Sequence, residues 1–375
     1  MQVKNRLAQN MLAKTRQKRG LSAAALAKQV GVQRQTIYAI EAGGYIPNTL
    51  VSLRLAQALE VTVEELFCLE GPVSSSPSAR EIHLLSEERA HPGQPMRLCQ
   101  VGKRMIGIPS QPVPETLPPA DGLFVRSSGT RKAVVKSFHP DDDSPQRLLV
   151  AGCDPAMSIL ARYLAREAGI ELIAAGCSSL QAIEWLKEKK VHIAGSHLRD
   201  PATGEPNLPI VKKLFPKGGY KVITFACWEE GLVVGKSNPR QIRGVADLAR
   251  KNITLVNRET GAGSRFLLDE LLRKQGIPSA KIRGYEQIAH GHISAAGHVH
   301  AGQADCCIAT RAAARAFGLD FIPLTSERYD WVLPERFLSL RPVEALLDLL
   351  NRSALQRELE AAGDYDMSQA GKVLV

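Results

Sequence analysis

Apolar residues recur every three or four positions along the first part of the chain, in short bursts broken by glycine, serine and proline. Leu7, Met11, Leu12 and Thr15 line one face of a helix predicted over residues 5–19, among basic residues. "GLS" at 20–22 ends it, and Ser22 stands where a hydroxyl caps the next helix, "AAALAKQV". Gly31 follows, a residue that tolerates the positive φ of a sharp turn. In "VQRQTIYAIEAG", Val32, Ile37 and Ile40 face inward and leave Gln33, Arg34, Gln35, Thr36 and Tyr38 outside. "NTLVSLRLAQAL" after Pro47 and "TVEELF" add a fourth helix and a short fifth. Five short helices with a glycine turn between the second and third describe a helix-turn-helix domain over residues 1–69.

The pattern then changes twice. "EGPVSSSPSAR" (70–80) is a Gly/Ser/Pro-rich linker, and residues 81–145 offer short extended pieces ("EIHLL", "MRLCQVGKRMIGIP", "GLFVR", "KAVVKSF") between proline-dense connectors. They predict a small β segment closed by "HPDDDSP", whose aspartates read as a solvated connector. Over residues 146–375 strands and helices alternate, from "RLLVAGC" and "DPAMSILARYLAREAG" to "ADCCIA", "RAAARAFG" and "LDFIPL", with one long extended run, "YKVITFACWEEGLVVG". This alternation predicts open parallel sheets, doubly wound into a two-lobed α/β domain with ligands at the carboxyl ends of its strands. The fold class expected is therefore α followed by α/β, joined by a small β segment.

Charge sharpens the first segment. Residues 1–54 hold nine Lys/Arg against the single acid Glu41, so +8 of the chain's net +10 sits there, which points to a polyanionic partner. The seven cysteines form no CxxC pair and no zinc-like spacing, as expected of a reducing cytosol. "MQVKNRLAQNMLAKTRQKRG" lacks the apolar core of a signal peptide, and no apolar run is long enough to span a membrane. A cytoplasmic protein is expected.

Chemistry concentrates where strands turn into helices. In "VNRETGAGSR" (256–265) an apolar run turns through Gly261 and Gly263 into "SRFLLDELL", a way of presenting backbone N–H groups to an anion. Cys153-Asp154 and Cys177-Ser178-Ser179 occupy equivalent turns in the first half. "ETGAGS" lacks the Lys of a nucleotide P-loop, and neither a GxSxG elbow nor a Ser–His–Asp order is present, so the turn is expected to bind and not to catalyse. His290, His292, His298 and His300 resemble a metal cluster, but HxH on a helix points its rings to different faces, and no metal or cofactor is expected.

Two resemblances add to this. "LSAAALAKQVGVQRQTIYAIEAGGYIP" resembles the phage-repressor-like, xenobiotic-response-element type of helix-turn-helix domain, through Ser22, Leu26, Ala27, Gly31, Val32, Arg34, Ile37, Ile40, Glu41, Gly43 and Pro47. It implies that Gln33, Gln35 and Thr36 reach bases, that Lys28, Arg34 and Tyr38 contact bases or phosphate, and that Glu41 pairs with Arg16. Ala23 stands where that family usually has Gln. The run "HLRDPATGEPNLP…EEGLVVGKSNP…DLARKNITLVNRETGAGSRFLLDELL…GHISAAGHVHAGQADCCIA…FGLDFIPLTSERYDWVLP" resembles the periplasmic-binding-protein-like domain of cytoplasmic regulators and molybdopterin-biosynthesis proteins, over roughly 147–372. Ala262 and Trp228 depart from that family's more usual serine and arginine.

The second resemblance implies a ligand pocket, for which the candidates are Asp154, Ser179, His197, Arg258, Gly261, Gly263, Ser264, Arg265 and Tyr329. Plain structural roles compete: Arg258 or Arg265 pairing with Asp269 or Glu270, Ser179 capping its helix, His197 as a hydrogen-bonded loop residue. The expectation is a one-component, ligand-responsive transcriptional regulator. It binds operator DNA as a homodimer and senses a small anion, molybdate, tungstate or a molybdopterin-related compound by resemblance. An enzyme of molybdenum-cofactor metabolism with an accessory DNA-binding domain, and a ligand-independent DNA-binding protein, are the alternatives.

Overall fold

The computed structural model describes residues 7–69, 79–86, 90–110, 117–138, 146–200 and 203–375. Most of the 70–80 linker and the whole "HPDDDSP" connector (139–145) lie outside them. The chain divides into two compact units, Met1–Ser76 and Pro77–Val375.

The first unit is built from β1 (Leu7–Asn10), α1 (Leu12–Lys18), α2 (Ala23–Val30), α3 (Arg34–Glu41), α4 (Thr49–Leu59), α5 (Val63–Leu66) and β2 (Phe67–Leu69). Its helix starts are set by caps: Ser22 accepts from Ala25 N (3.1 Å), Asn48 from Val51 N (2.9 Å), and Thr62 and Glu65 form a capping box. Gly31 turns α2 into α3 at φ 79°. Leu12, Leu26, Val30, Ile37, Ile40, Leu55, Leu59 and Leu66 close the core, and Arg16 pairs with Glu41 at 2.6 Å as the resemblance implied. The helix expected over 5–19 is shorter. Residues 7–10 instead pair antiparallel with β2, and Asn10 stops the strand by accepting from Leu12 N (3.1 Å). A tertiary pairing between the two ends of the unit overrides local helical propensity.

The second unit opens with a closed barrel of β3 (Ala79–Leu84), β4 (Pro95–Val101), β5 (Arg104–Pro109), β6 (Gly122–Gly129) and β7 (Lys132–Ser137), in the order β3-β5-β4-β6-β7. The barrel is not a separate appendage. Its Leu85, Cys99, Val101 and Ile106 belong to the same buried core as the α/β region, and Arg97 and Arg147 share Asp121 and Glu171 in one ion network.

The α/β region begins with β8 (Arg147–Gly152), α6 (Met157–Ala168), β9 (Glu171–Gly176), α7 (Ser179–Lys187), β10 (Ile193–Ser196) and α8 (Leu208–Leu214). The long β11 (Tyr220–Val234) leads into β12 (Asn257–Arg258), α9 (Gly263–Lys274), β13 (Ile288–Ala289), α10 (His292–His300), β14 (Cys306–Thr310) and α11 (Arg311–Ala316). The equally long β15 (Asp320–Pro334) returns, followed by α12 (Arg341–Leu349) and α13 (Ser353–Gly363). The expected parallel pairing holds for β8 with β9 and β10, and for β12 with β13. β11 and β15 are antiparallel to each other along their full 15-residue lengths, because the chain crosses between the lobes once in each direction. The end of β15 pairs with β10 in the first lobe, and the end of β11 with β14 in the second. The sheet order is β14-β11-β15-β10-β8-β9. Hydrophobic cores flank both halves: the large first-lobe core around Leu148, Ile193 and Trp331, and two second-lobe clusters around Leu255 and Val256. Among the described residues no helix is long and apolar enough to cross a membrane.

Candidate functional site

On the first unit, α3 presents a polar outer face. Gln33 is its extended N-cap, Arg34, Gln35 and Tyr38 are exposed, Thr36 is half-buried, and Ile37 and Ile40 fix the other side in the core. The Arg34 guanidinium lies 5.9 Å from the Tyr38 ring centre, and Lys28 is exposed on α2. Ala23 is buried in the core, which explains a small side chain there in place of glutamine.

In the second unit the turns that follow β8, β9 and β12 meet. Leu180 N donates to the Gly261 carbonyl (3.3 Å), and His197 N donates to Ser179 Oγ (3.2 Å). Gly261 sits at φ 85°, and a Cβ there would fall 3.0 Å from Ser178 Oγ. A Cβ on Gly263 would fall 2.5 Å from His197 Cε1 and 2.8 Å from the His197 carbonyl, so the turn approaches this histidine at a distance only glycine permits.

His197 is the centre of the cluster. Its Nε2 lies 3.3 Å from Cys153 Sγ; its Nδ1 lies 2.9 Å from Glu327 and 3.4 Å from Glu230. Trp228, His292 and Tyr329 surround the ring at centroid distances of 5.6, 5.5 and 6.0 Å. Tyr329 has room because Gly152 and Gly195 lie beneath it: a Cβ on either would fall within 2.2 Å of its hydroxyl. Arg258 donates to Glu259 at 2.8 and 3.0 Å, and Ser264 donates to Glu230. Asp154 Oδ1 accepts from Ala156 N (2.9 Å) and Tyr365 Oη (2.7 Å), while its Oδ2 and both ring nitrogens of His292 are buried without a hydrogen-bond partner.

Ionisation follows from burial and neighbours. Burial raises the Asp154 pKa to about 6, against the opposing bonds from Ala156 and Tyr365. Burial would lower His197, but Cys153 and Glu230 outweigh it and hold the imidazole well above its ordinary value. Burial pulls His292 far down, helped by Arg258, so it stays neutral. Glu230 is pushed up by burial and more strongly down by His197 and Ser264, and stays ionised.

The structure thus brings Asp154, Ser179, His197, Arg258, Gly261, Gly263, Ser264 and Tyr329 to one buried cluster. Arg265 lies at its margin, half-buried, donating to the Arg258 carbonyl (3.3 Å) and stacked over Tyr285. The competing structural roles resolve individually. Ser178, not Ser179, caps α7; Arg258 pairs with Glu259, while Asp269 bonds Tyr285 and Glu270 bonds Lys274. Of the histidines at 290–300 only His292 enters the cluster: His290 and His300 are exposed, and His298 bonds the Ser294 carbonyl of its own helix. Sequence reasoning missed Glu230, Glu327 and Tyr365, and it named His292 only within a histidine cluster that it set aside. An acid inside the apolar run of β11 was the one available signal. Among the described residues, two sets of donor atoms lie within 4.8 Å of one another and could hold a metal: Cys153, His197 and His292, and His197, Glu230 and Glu327.

Residues 161–351 match the family model described as the PBP superfamily domain, and residues 12–66 match a helix-turn-helix model. The uncharacterized protein YvgK of Bacillus subtilis is 33% identical over 235 residues, covering 63% of this chain and 76% of that protein. The uncharacterized HTH-type transcriptional regulator YgzD of Bacillus subtilis is 39% identical over 61 residues, covering 16% and 92%. Among solved structures, the sulfate-binding protein SubI of Mycobacterium tuberculosis is similar at 17% identity and a TM-score of 0.43, covering 59% of this chain and 86% of that one.

Proposed function

Because the chain belongs to the PBP superfamily and carries a helix-turn-helix domain at its N-terminus, we propose that it is a DNA-binding transcriptional regulator whose operator affinity is set by a small ligand held between the lobes of its second unit. The observation that carries this reading is the buried polar cluster around His197. Removing so many ionisable groups from water costs stability that an apolar interior would not, and a ligand site is a reason to retain them. The cluster draws on both lobes, with Glu230 and Glu327 on the two strands that cross between them, so a ligand there bears on lobe closure. A relative named as an HTH-type transcriptional regulator supports DNA as the partner of the first unit. There the +8 segment attracts phosphate, Gln33, Gln35 and Thr36 read bases, and Lys28, Arg34 and Tyr38 read bases or hold the backbone. The reading implies a cytoplasmic protein that meets a two-fold operator as a homodimer.

The geometry favours a neutral or cationic effector over the oxyanion that the family resemblance implies. Of the donors that molybdate or tungstate would draw on, Arg258 and Ser264 already donate to Glu259 and Glu230, which leaves the unpartnered Trp228 Nε1 and Tyr329 Oη. Four carboxyl groups, Asp154, Glu230, Glu259 and Glu327, are buried in the cluster. A second reading, an enzyme, is favoured by one observation: Cys153, His197 and Glu327 are aligned as nucleophile, base and orienting carboxylate. It requires an accessible thiol, whereas Cys153 is buried; rapid, saturable alkylation of Cys153 would favour it. The regulator reading is tested by selecting an operator from random-sequence DNA with the full chain, then screening amines, metal ions and oxyanions for a thermal shift. A chain that selects no sequence sinks the reading.

A further inference from the structure

The regulator reading leaves one feature without a use: a soft donor and two imidazoles facing one another deep in the cleft. Cys153 Sγ, His197 and His292 offer ligand atoms within 4.8 Å of one another, and all three residues are buried. We propose that Cys153, His197 and His292 bind a divalent transition-metal ion of the zinc type, leaving a fourth position for water or for a donor atom of the effector. The inference rests on reading this cleft as the ligand site.

The donor set selects the class of ion. A thiolate with two imidazoles suits zinc, cobalt or copper and is wrong for magnesium or calcium, which take oxygen. A tetrahedral site with metal–sulfur and metal–nitrogen bonds of about 2.3 and 2.0 Å has donor–donor edges of roughly 3.3–3.6 Å. Cys153 and His197 already meet that edge at 3.3 Å, and a ring nitrogen of His292 lies within 4.8 Å of both. His292 has both ring nitrogens buried without a hydrogen-bond partner, its Nδ1 only 3.9 Å from Glu230, an arrangement that is costly as it stands and that a metal ion would relieve at one nitrogen.

The surroundings of His197 fit as well. A ligating histidine commonly donates its other ring N–H to a carboxylate, and His197 Nδ1 has Glu327 at 2.9 Å, which leaves Nε2 turned to Cys153. Binding displaces the thiol proton to solvent, because a thiolate and a neutral imidazole are the forms that ligate. The alternative triad of His197, Glu230 and Glu327 would use the nitrogen that Glu327 holds and would leave His292 without a role.

The test uses the full chain, stripped with a chelator and titrated with Co²⁺ in the absence of DNA. The expected result is one Co²⁺ per chain, a thiolate-to-cobalt charge-transfer band with tetrahedral d–d absorption, and loss of both on adding Zn²⁺. Cys153→Ser should abolish the charge-transfer band, His292→Asn should weaken binding at least tenfold, and Glu327→Gln should weaken it about 10- to 100-fold with the band retained. His298→Asn should change nothing. Should the ligand variants fail to fold, the wild type still decides: X-ray absorption of the zinc-loaded chain must show one sulfur neighbour at about 2.3 Å beside nitrogen neighbours at about 2.0 Å. No charge-transfer band, a band that survives Cys153→Ser, loss of the band with His298→Asn, or a zinc site without sulfur overturns the proposal. Because none of these readouts involves DNA, effector-dependent operator binding stands or falls separately.

Discussion

Arg258 illustrates how a residue can be found by sequence and still have its role changed by structure. The turn through Gly261 and Gly263 marks it as a site residue, but Glu259, next to it, takes the guanidinium in a two-point pair. Arg258→Ala leaves a buried carboxylate uncompensated and should destabilise the second unit by about 3–5 kcal/mol, whereas Arg258→Ala combined with Glu259→Ala should cost clearly less than the two single changes added. Urea unfolding followed by tryptophan fluorescence reads this unit alone, since Trp185, Trp228 and Trp331 all lie in it. Additive costs would mean that the pair is not coupled. His192 supplies a pH test away from the cleft. Its Nδ1 accepts from Leu149 N (3.0 Å), and burial lowers its pKa to about 4, against a bond to the Gln100 backbone that raises it. A folded pKa below the unfolded one means stability that is complete above about pH 6.5 and is lost as the pH falls through about 4, up to roughly 3 kcal/mol. His192→Asn keeps an acceptor for Leu149 and should flatten that slope; an unchanged slope would assign the loss to other groups. At this scale the sequence pointed to glycines and polar turn residues, because turn chemistry is local. It could not point to Gly152 and Gly195, whose need arises from Tyr329, more than a hundred residues away.

Elements were legible wherever local signals decide them. Ser22 and Gly31 announce the two ends of α2, and each does so in the structure through the predicted bond or φ. β1 was not legible, because residues 7–10 are strand only by pairing with β2 some sixty residues on. The antiparallel course of β11 and β15 was hidden for the same reason: two extended runs do not disclose their relative direction. For α3 the exposed face yields a direct prediction. Arg34→Ala should weaken operator binding and Gln35→Ala should relax base preference, each by roughly 1–3 kcal/mol. Competition between operator and mismatched DNA for the two variants checks it, and a Gln35→Ala variant with unaltered preference would remove that residue from base readout.

For the whole molecule, a helix-turn-helix domain followed by an α/β region could be read from charge and periodicity, while the buried cluster could be read only in half. Its first-lobe turns and the glycine turn carry sequence signals; Glu230, His292 and Glu327 arrive through non-local packing of the crossing strands and α10. A single recognition helix buries too little DNA for tight operator binding, so we expect a dimer whose half-sites lie about 34–36 Å apart centre to centre. Light scattering on the free and DNA-bound chain checks this, and a monomer in both would refute it. The regulator account itself is most directly tested by operator affinity, measured at one salt concentration with and without the ligand found by thermal shift, for the wild type and for Gly263→Ala. That substitution drives a methyl into His197 and leaves the first unit untouched. The account predicts a wild-type shift of about 5- to 150-fold, the range of ordinary allosteric coupling, and a Gly263→Ala chain with the same ligand-free affinity and no shift. Equal wild-type affinity with and without ligand, or a Gly263→Ala chain that responds as the wild type does, would contradict it.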